Sequence, residues 1–234
     1  MAKSRDNGIM KRTETERAYE VIKRGILRSE IAEGSFLSEV DVRKHYGIGR
    51  TPFREACNRL DHEQLLEVVP RRGYLVSKIT LRSAREIFEV RMYVEGICAE
   101  LAASRATSQD LEELAEIAKQ SWSVSGVNIQ EVTVKRNTLF HLCIARMSHN
   151  EELVRLVTGL LERMERLSYL ELRTTPLSGT DLRSLHNPIL QAIIEKHPVA
   201  AREAMAHDIA MGQLDILGAR GWKQDPKSGH APSA

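Results

Sequence analysis

Residues 47–60, GIGRTPFREACNRL, leave the chain few choices: they describe a helix that begins near Arg50, directly behind a glycine-flanked turn. Pro52 fits a first helical turn but no later one, Gly49 can serve near the N-cap, and Glu55 favours the positive end of a helix. Phe53, Ala56, Cys57 and Leu60 then recur at helical spacing as an apolar stripe, while Arg50, Thr51, Arg54 and Asn58 fall largely off it. The polar side therefore faces outward, toward a partner. Arginine pairs in bidentate fashion with guanine in a major groove, and a helix with Arg and Thr in its first turns presents them to base edges. Taken alone, the segment could equally be a solvated basic helix. Its neighbours decide between the two.

Upstream, EVDVRKHY at residues 39–46 reads as a short helix joined through Gly47, Ile48 and Gly49 to the next, which is helix-turn-helix spacing. Residues 13–31 carry Ala18, Val21, Ile22, Ile26, Leu27 and Ile31 at intervals of three and four, the pattern of an amphipathic helix able to cover the pair. Downstream, residues 66–70 and 74–77 are β-prone runs around Arg71-Arg72-Gly73, as expected of a hairpin with glycine near its tip. Two arginines at such a tip suit phosphates or a minor groove.

Taken together, Gly34-x-x-Leu37-x-Glu39, Arg50-Thr51-Pro52-x-Arg54-Glu55-Ala56, Leu60 and Pro70-Arg71-Arg72-Gly73 resemble the winged helix-turn-helix of GntR-type bacterial repressors. The resemblance covers roughly residues 15–78. It implies base or phosphate contacts by Arg50, Thr51 and Arg54, with Gly73 at the wing tip. Two departures stand out. Gly49 occupies the position before the arginine where serine is usual, at little cost because Gly caps almost as well. Arg43-Lys44 stands where a small apolar residue is common, adding backbone contacts or only a solvated corner. The DNA-facing set expected is Arg43, Arg50, Thr51, Arg54, Arg71, Arg72 and Gly73.

Charge agrees with this division. Residues 1–80 hold 16 Lys/Arg against 12 Asp/Glu, net +4, and the remainder 18 against 20, net −2. An overall +2 would not suggest nucleic acid, because the electrostatic argument depends on local clustering. No run approaches the roughly 18 apolar residues of a membrane span, and MAKSRDNGIMKR lacks the apolar core of a signal peptide, so a cytoplasmic protein is expected. Cys57, Cys98 and Cys143 are far apart on apolar helix faces and read as buried thiols.

From Leu81 on the pattern is helical almost throughout, with breaks near residues 107–108, 125–126, 149–150, 176–180 and 197–198, giving about six helices. Ile87, Val90, Val94, Cys98 and Leu101 form one stripe; Leu153, Leu156, Leu160, Met164 and Leu167 form another. The expected fold is mostly α: a winged helix-turn-helix over 13–78 with a small β-hairpin wing, then an all-α antiparallel bundle over 81–219. Residues 1–12 and 222–234 are expected to be flexible tails.

Within the bundle, residues 87–95, the Asn137-x-x-x-His141 pair, Asn150 and His186-x-x-Ile189-x-x-Ala192-Ile193 resemble the FCD-type effector domain of many GntR repressors, over about residues 84–217. That resemblance implies a helical cavity holding a divalent metal, zinc or nickel-like, often beside a small organic acid. Asn137 and His141 lie one helical turn apart, as a two-ligand clip requires, and His186 comes from another helix. The resemblance places a last ligand just before Ile209, where the sequence has Asp208, with His207 one residue earlier. Adjacent helical residues point about 100° apart, so one of the two can face the cavity, and periodicity leaves Asp208 and His207 both open. Arg91 is a candidate for an effector carboxylate, against an internal salt bridge to Glu95 one turn on. The bland reading of His141 and His186 is hydrogen-bonded core histidine.

The function these residues imply is that of a ligand-responsive transcriptional regulator, a repressor by resemblance. It is expected to bind double-stranded operator DNA as a homodimer, with no membrane partner. Two other readings are open: a metal-dependent hydrolase fused to a DNA-binding module, which lacks a marked general base or nucleophile, and a non-specific architectural DNA protein.

Overall fold

The structure, a computed structural model, describes residues 13–122, 129–172 and 182–219. The expected tails and the breaks at 125–126 and 176–180 lie outside them. Two compact units divide at Lys78 and Ile79.

In the first unit, α1 (Glu14–Leu27) opens on a capping box: Thr13 accepts from the Glu16 N–H, and the Glu16 carboxylate accepts from the Thr13 N–H. The amphipathic pattern runs on to Ile31, yet the helix stops at Leu27. Ser29 takes a left-handed turn at φ 56°, and Ile31 folds back so that its N–H bonds Gly25 O at 2.9 Å. Its apolar side chain stays against the same core without being helical. Gly25 leaves room for that fold-back: a Cβ there would sit 2.9 Å from Ile31 Cδ1 and push the side chain aside. Next comes α2 (Glu39–Tyr46), capped by Ser38, which ends at Gly47 in the left-handed region at φ 67°. Helix α3 (Arg50–His62) begins as the sequence dictates, with Gly49 as N-cap and no side-chain cap bond.

Ile22, Ile26, Val42, Ile48, Phe53, Ala56, Cys57 and Leu60 close into one buried core beneath the helix pair, so the turn is held by burial as well as by glycine. The wing departs from the expected two-stranded hairpin. A two-residue strand β1 (Phe36–Leu37) joins β2 (Leu66–Val69) and β3 (Gly73–Val76) in a three-stranded antiparallel sheet of order β1-β3-β2. Pairing Phe36 with Leu75 protects an otherwise open edge of β3.

The second unit is helical among its described residues: α4 (Leu81–Arg105), α5 (Ser108–Trp122), α6 (Ile129–Met147), α7 (Glu151–Leu172), α8 (Leu182–Ile194) and α9 (Pro198–Ala219). Two of the expected stripes need correction. On α4 the buried face is Ala84, Ile87, Phe88, Arg91, Glu95, Cys98, Ala99 and Ala102, and Val90 is 46% exposed. On α7 Leu156 is 57% exposed while Val157, Leu161, Met164 and Leu167 are buried. The α4 face is displaced because it carries a charged pair that propensity alone reads as surface.

Candidate nucleic-acid interface and metal centre

Arg50, Thr51 and Arg54 are all exposed along the first turns of α3, and Phe53 beneath them is buried at 3% exposure. Packing therefore fixes which side of α3 is offered outward. Arg50 Nε sits 3.5 Å from the Glu39 carboxylate of α2, an exposed pair of little energetic weight in water. Arg43 is exposed on α2. At the wing, Tyr74 donates to Asn58 Oδ1 at 3.1 Å and meets Phe53 edge-on, so the wing strand is tied to α3. The tip is a tight turn closed by the Arg72 N–H to Val69 O at 3.0 Å, with Arg71 at φ 64° and Gly73 at φ 103°. Arg72 lies 4.5 Å over the Phe36 ring. Arg71 is exposed.

In the second unit, four side chains from α6, α8 and α9 converge. His186 Nε2 lies 2.9 Å from Asn137 Oδ1 and 3.7 Å from Asp208 Oδ1, and His141 Nε2 lies 3.2 Å from Asp208 Oδ2. The packing of α9 settles the choice the sequence left open: Asp208 is buried and enters the cluster, while His207 is exposed. His186 is fully buried with its ring stacked on Phe140, centroids 3.9 Å apart, and its Nδ1 has no hydrogen-bond partner.

The sequence reading offered Glu95 as a salt-bridge partner of Arg91 but did not place it beside the histidine cluster. Its carboxylate is 1% exposed and lies behind His141, with Oε2 2.7 Å from Nδ1, a close contact not aligned as a hydrogen bond. Arg91 donates from Nε to Glu95 Oε1 at 2.5 Å and from Nη2 to Oε2 at 3.4 Å. The Arg91 guanidinium, proposed above for an effector, is thus engaged by Glu95 in the arrangement described. The one-turn spacing gave the internal salt bridge as one of the two readings of Arg91; that Glu95 also reaches His141 was not visible, because it depends on how α4 packs on α6.

Electrostatics follow from this packing. Burial works against ionising Glu95, yet Arg91 and His141 outweigh it and hold its carboxyl at about 2. Burial alone would lower His141, but Glu95 and Asp208 on either side push it up to about 9. His186 has burial without an adequate counter-charge and falls to about 4, so it is neutral at pH 7 with a lone pair to offer. Asp208, despite burial, is held below the usual carboxylate range by His141, His186 and Arg91.

The donor set suits a divalent ion. Two ligands each ~2.1 Å from one ion lie up to ~4.2 Å apart, and all three separations above fall within that span. One ligand atom each from His141, His186 and Asp208 can be chosen within 4.8 Å of the others. Two imidazoles, a carboxylate and an amide oxygen make a mixed N/O set of the kind borderline divalent metals accept.

A winged helix-turn-helix followed by an all-helical unit is the architecture of a class of DNA-binding transcriptional regulators. The model of the gntR family of bacterial regulatory proteins matches residues 14–76, and that of the FCD domain matches residues 86–211, more than half of the chain. The chain belongs to the GntR family, with an FCD domain as its second part. It is 25% identical over 192 residues to the HTH-type regulator YdhC of Bacillus subtilis, covering 81% of this chain and 85% of that one. It is 24% identical over 200 residues to the HTH-type repressor RspR of Escherichia coli, covering 82% and 83%. Among solved structures, Escherichia coli McbR/YncC shares the fold at TM-score 0.75 and 23% identity, over 90% of this chain and 100% of that one. The matched families and relatives are transcriptional regulators rather than enzymes, which leaves the hydrolase reading without support. Among the described residues no helix is long and apolar enough to cross a membrane.

Proposed function

We propose that this regulator is a repressor that binds operator DNA as a homodimer and responds to a small carboxylate through a metal site in its helical unit. The observation that carries the sensing half is the convergence of Asn137, His141, His186 and Asp208 from three helices. Arg50, Thr51 and Arg54 read bases from α3, while Arg43, Arg71, Arg72 and the Gly73 turn hold the duplex backbone and groove. Asn137, His141, His186 and Asp208 hold a divalent ion, zinc or nickel-like, and His186 arrives neutral so that no proton has to leave it first. When bound, the ion supplies a Lewis-acidic anchor for an effector carboxylate.

The test has two arms. Metal analysis of the purified protein should find about one divalent ion per chain, reduced to background by His141→Ala with His186→Ala. A thermal-shift screen of zinc-loaded protein against small carboxylic acids should find a stabilising ligand, since binding the native state adds RT ln(1 + [L]/Kd). Protein free of metal, together with an effector response that survives the double substitution, would overturn the metal reading.

A further inference from the structure

We infer that Glu95, which is not one of the four ligand candidates, is the positioning residue for His141: it holds the imidazole so that Nε2 is offered to the ion. The inference rests on the metal reading above. A histidine that coordinates through Nε2 must carry its proton on Nδ1, and a buried N–H needs an acceptor. Glu95 Oε2, 2.7 Å from Nδ1, is placed to be that acceptor. In the arrangement described, the ring is drawn at its other end toward Asp208, and the Nδ1–H is off the line to Glu95. With Nε2 on an ion, a small rotation of the ring would bring the Nδ1–H into line with the Glu95 carboxylate already beside it.

Glu95 can do this because it is itself fixed. Arg91 sits one turn earlier on α4 and holds the carboxylate through two nitrogens, and both side chains are buried. The result is a relay from Arg91 to Glu95 to His141, each member set by the one before.

The second histidine is held by other means. His186 packs its ring flat on Phe140, at an interplanar angle of 7°, and its Nδ1 has no hydrogen-bond partner among the described residues. The two imidazoles therefore differ in what lies behind the ring: His141 has the Glu95 carboxylate at Nδ1, while His186 has Phe140 against its face and its Nδ1 unpaired. His141 is the stronger donor. This chain concentrates its orientation chemistry on one ligand, and Glu95 is where it is applied.

The experiment measures zinc affinity of the full-length protein by competition with a chromophoric chelator, for the wild type, Glu95→Gln, and Arg91→Met combined with Glu95→Gln. The double variant leaves no unpaired buried charge, so it remains informative if Glu95→Gln alone does not fold. Removing a carboxylate behind a ligating histidine is expected to weaken zinc binding by about 10- to 100-fold. In the zinc-loaded wild type, nitrogen NMR should show His141 coordinated through Nε2 with a protonated, carboxylate-bonded Nδ1, and this signature should be lost in the double variant. Zinc affinity within twofold of wild type in a folded variant, or coordination of His141 through Nδ1, would overturn the inference while leaving the site standing. A wild type that fails to bind zinc, nickel, cobalt or manganese at all would instead overturn the site, and Glu95's role toward it.

Discussion

Arg54 and Arg71 are both exposed cations on the same unit, carried by different backbones. Arg54 projects from α3, whose buried face is fixed by Phe53 and Leu60, so its guanidinium is presented at a set height and angle. That suits bidentate readout of a base. Arg54→Ala should cost about 1 to 3 kcal/mol of operator affinity and relax preference at one base position. Arg71 stands at the wing tip in the left-handed region at φ 64°, where a side chain costs roughly 1 kcal/mol. Such strain at an exposed tip is consistent with a residue kept for its charge. Arg71→Ala should weaken binding about equally for all sequences and reduce the salt slope by about 1. Arg71→Gly should also lose DNA affinity while raising the stability of the first unit, because the turn is relieved. Fluorescence anisotropy on operator and scrambled duplexes at several salt concentrations, with thermal unfolding alongside, separates the two roles. Equal losses on both duplexes from Arg54→Ala would refute the division.

Helix ends carry a measurable share of the stability, and α5 gives a clean case outside the histidine cluster. Thr107 donates its N–H and its hydroxyl to Asp110 Oδ2, each at 2.8 Å, and its hydroxyl accepts from the Asp110 N–H. The Thr107 backbone N–H is the main cause that holds the Asp110 carboxyl below the usual carboxylate range, with the Thr107 hydroxyl and His149 assisting and burial opposing. A carboxyl depressed in the folded state adds stability above its unfolded pKa of about 3.9 and loses it as pH falls through the folded value. Asp110→Asn should therefore lower the melting temperature at pH 7 and show a shallower decline between about pH 5 and pH 2 than the wild type. Parallel curves would mean that Asp110 does not contribute through its charge. The same local logic explains what was legible in the sequence. Gly49, Pro52 and the Phe53–Leu60 stripe place α3 because cap and period are local properties. Strand β1 was not legible, since two residues carry no period and owe their conformation to β3. Ile31 was read as helix because the pattern reports burial, and burial was right while the backbone was not. Asp208 against His207 could not be decided by period on a helix with apolar residues all round; the packing of α9 on α4 and α8 decides it. For Arg91 the sequence offered two partners, an effector carboxylate or Glu95 one turn on, and only the packing that buries both side chains shows the salt bridge to Glu95.

At the scale of the whole chain, the two units have separate cores and separate chemistry. Under the proposed function, the switch works only if an effector in the second unit has different affinities for the DNA-competent and DNA-incompetent states of the protein. A single winged helix-turn-helix reads a short half-site, so an operator with two half-sites about 10 base pairs, or a multiple, apart is expected to bind one dimer. Linkage then makes a strict demand. If effector at saturation weakens operator affinity by a factor, saturating operator must weaken effector affinity by the same factor, typically 5- to 150-fold for a coupling of about 1 to 3 kcal/mol. Titration calorimetry of effector into zinc-loaded protein, with and without a two-half-site duplex, measures one side of the cycle; anisotropy of the duplex with and without effector measures the other. The two factors should agree. His141→Ala should remove both together, because it acts on the effector side of the cycle, whereas Arg54→Ala should lower operator affinity and leave the coupling factor unchanged. A coupling factor lost in Arg54→Ala but retained in His141→Ala would place the switch somewhere other than the histidine cluster.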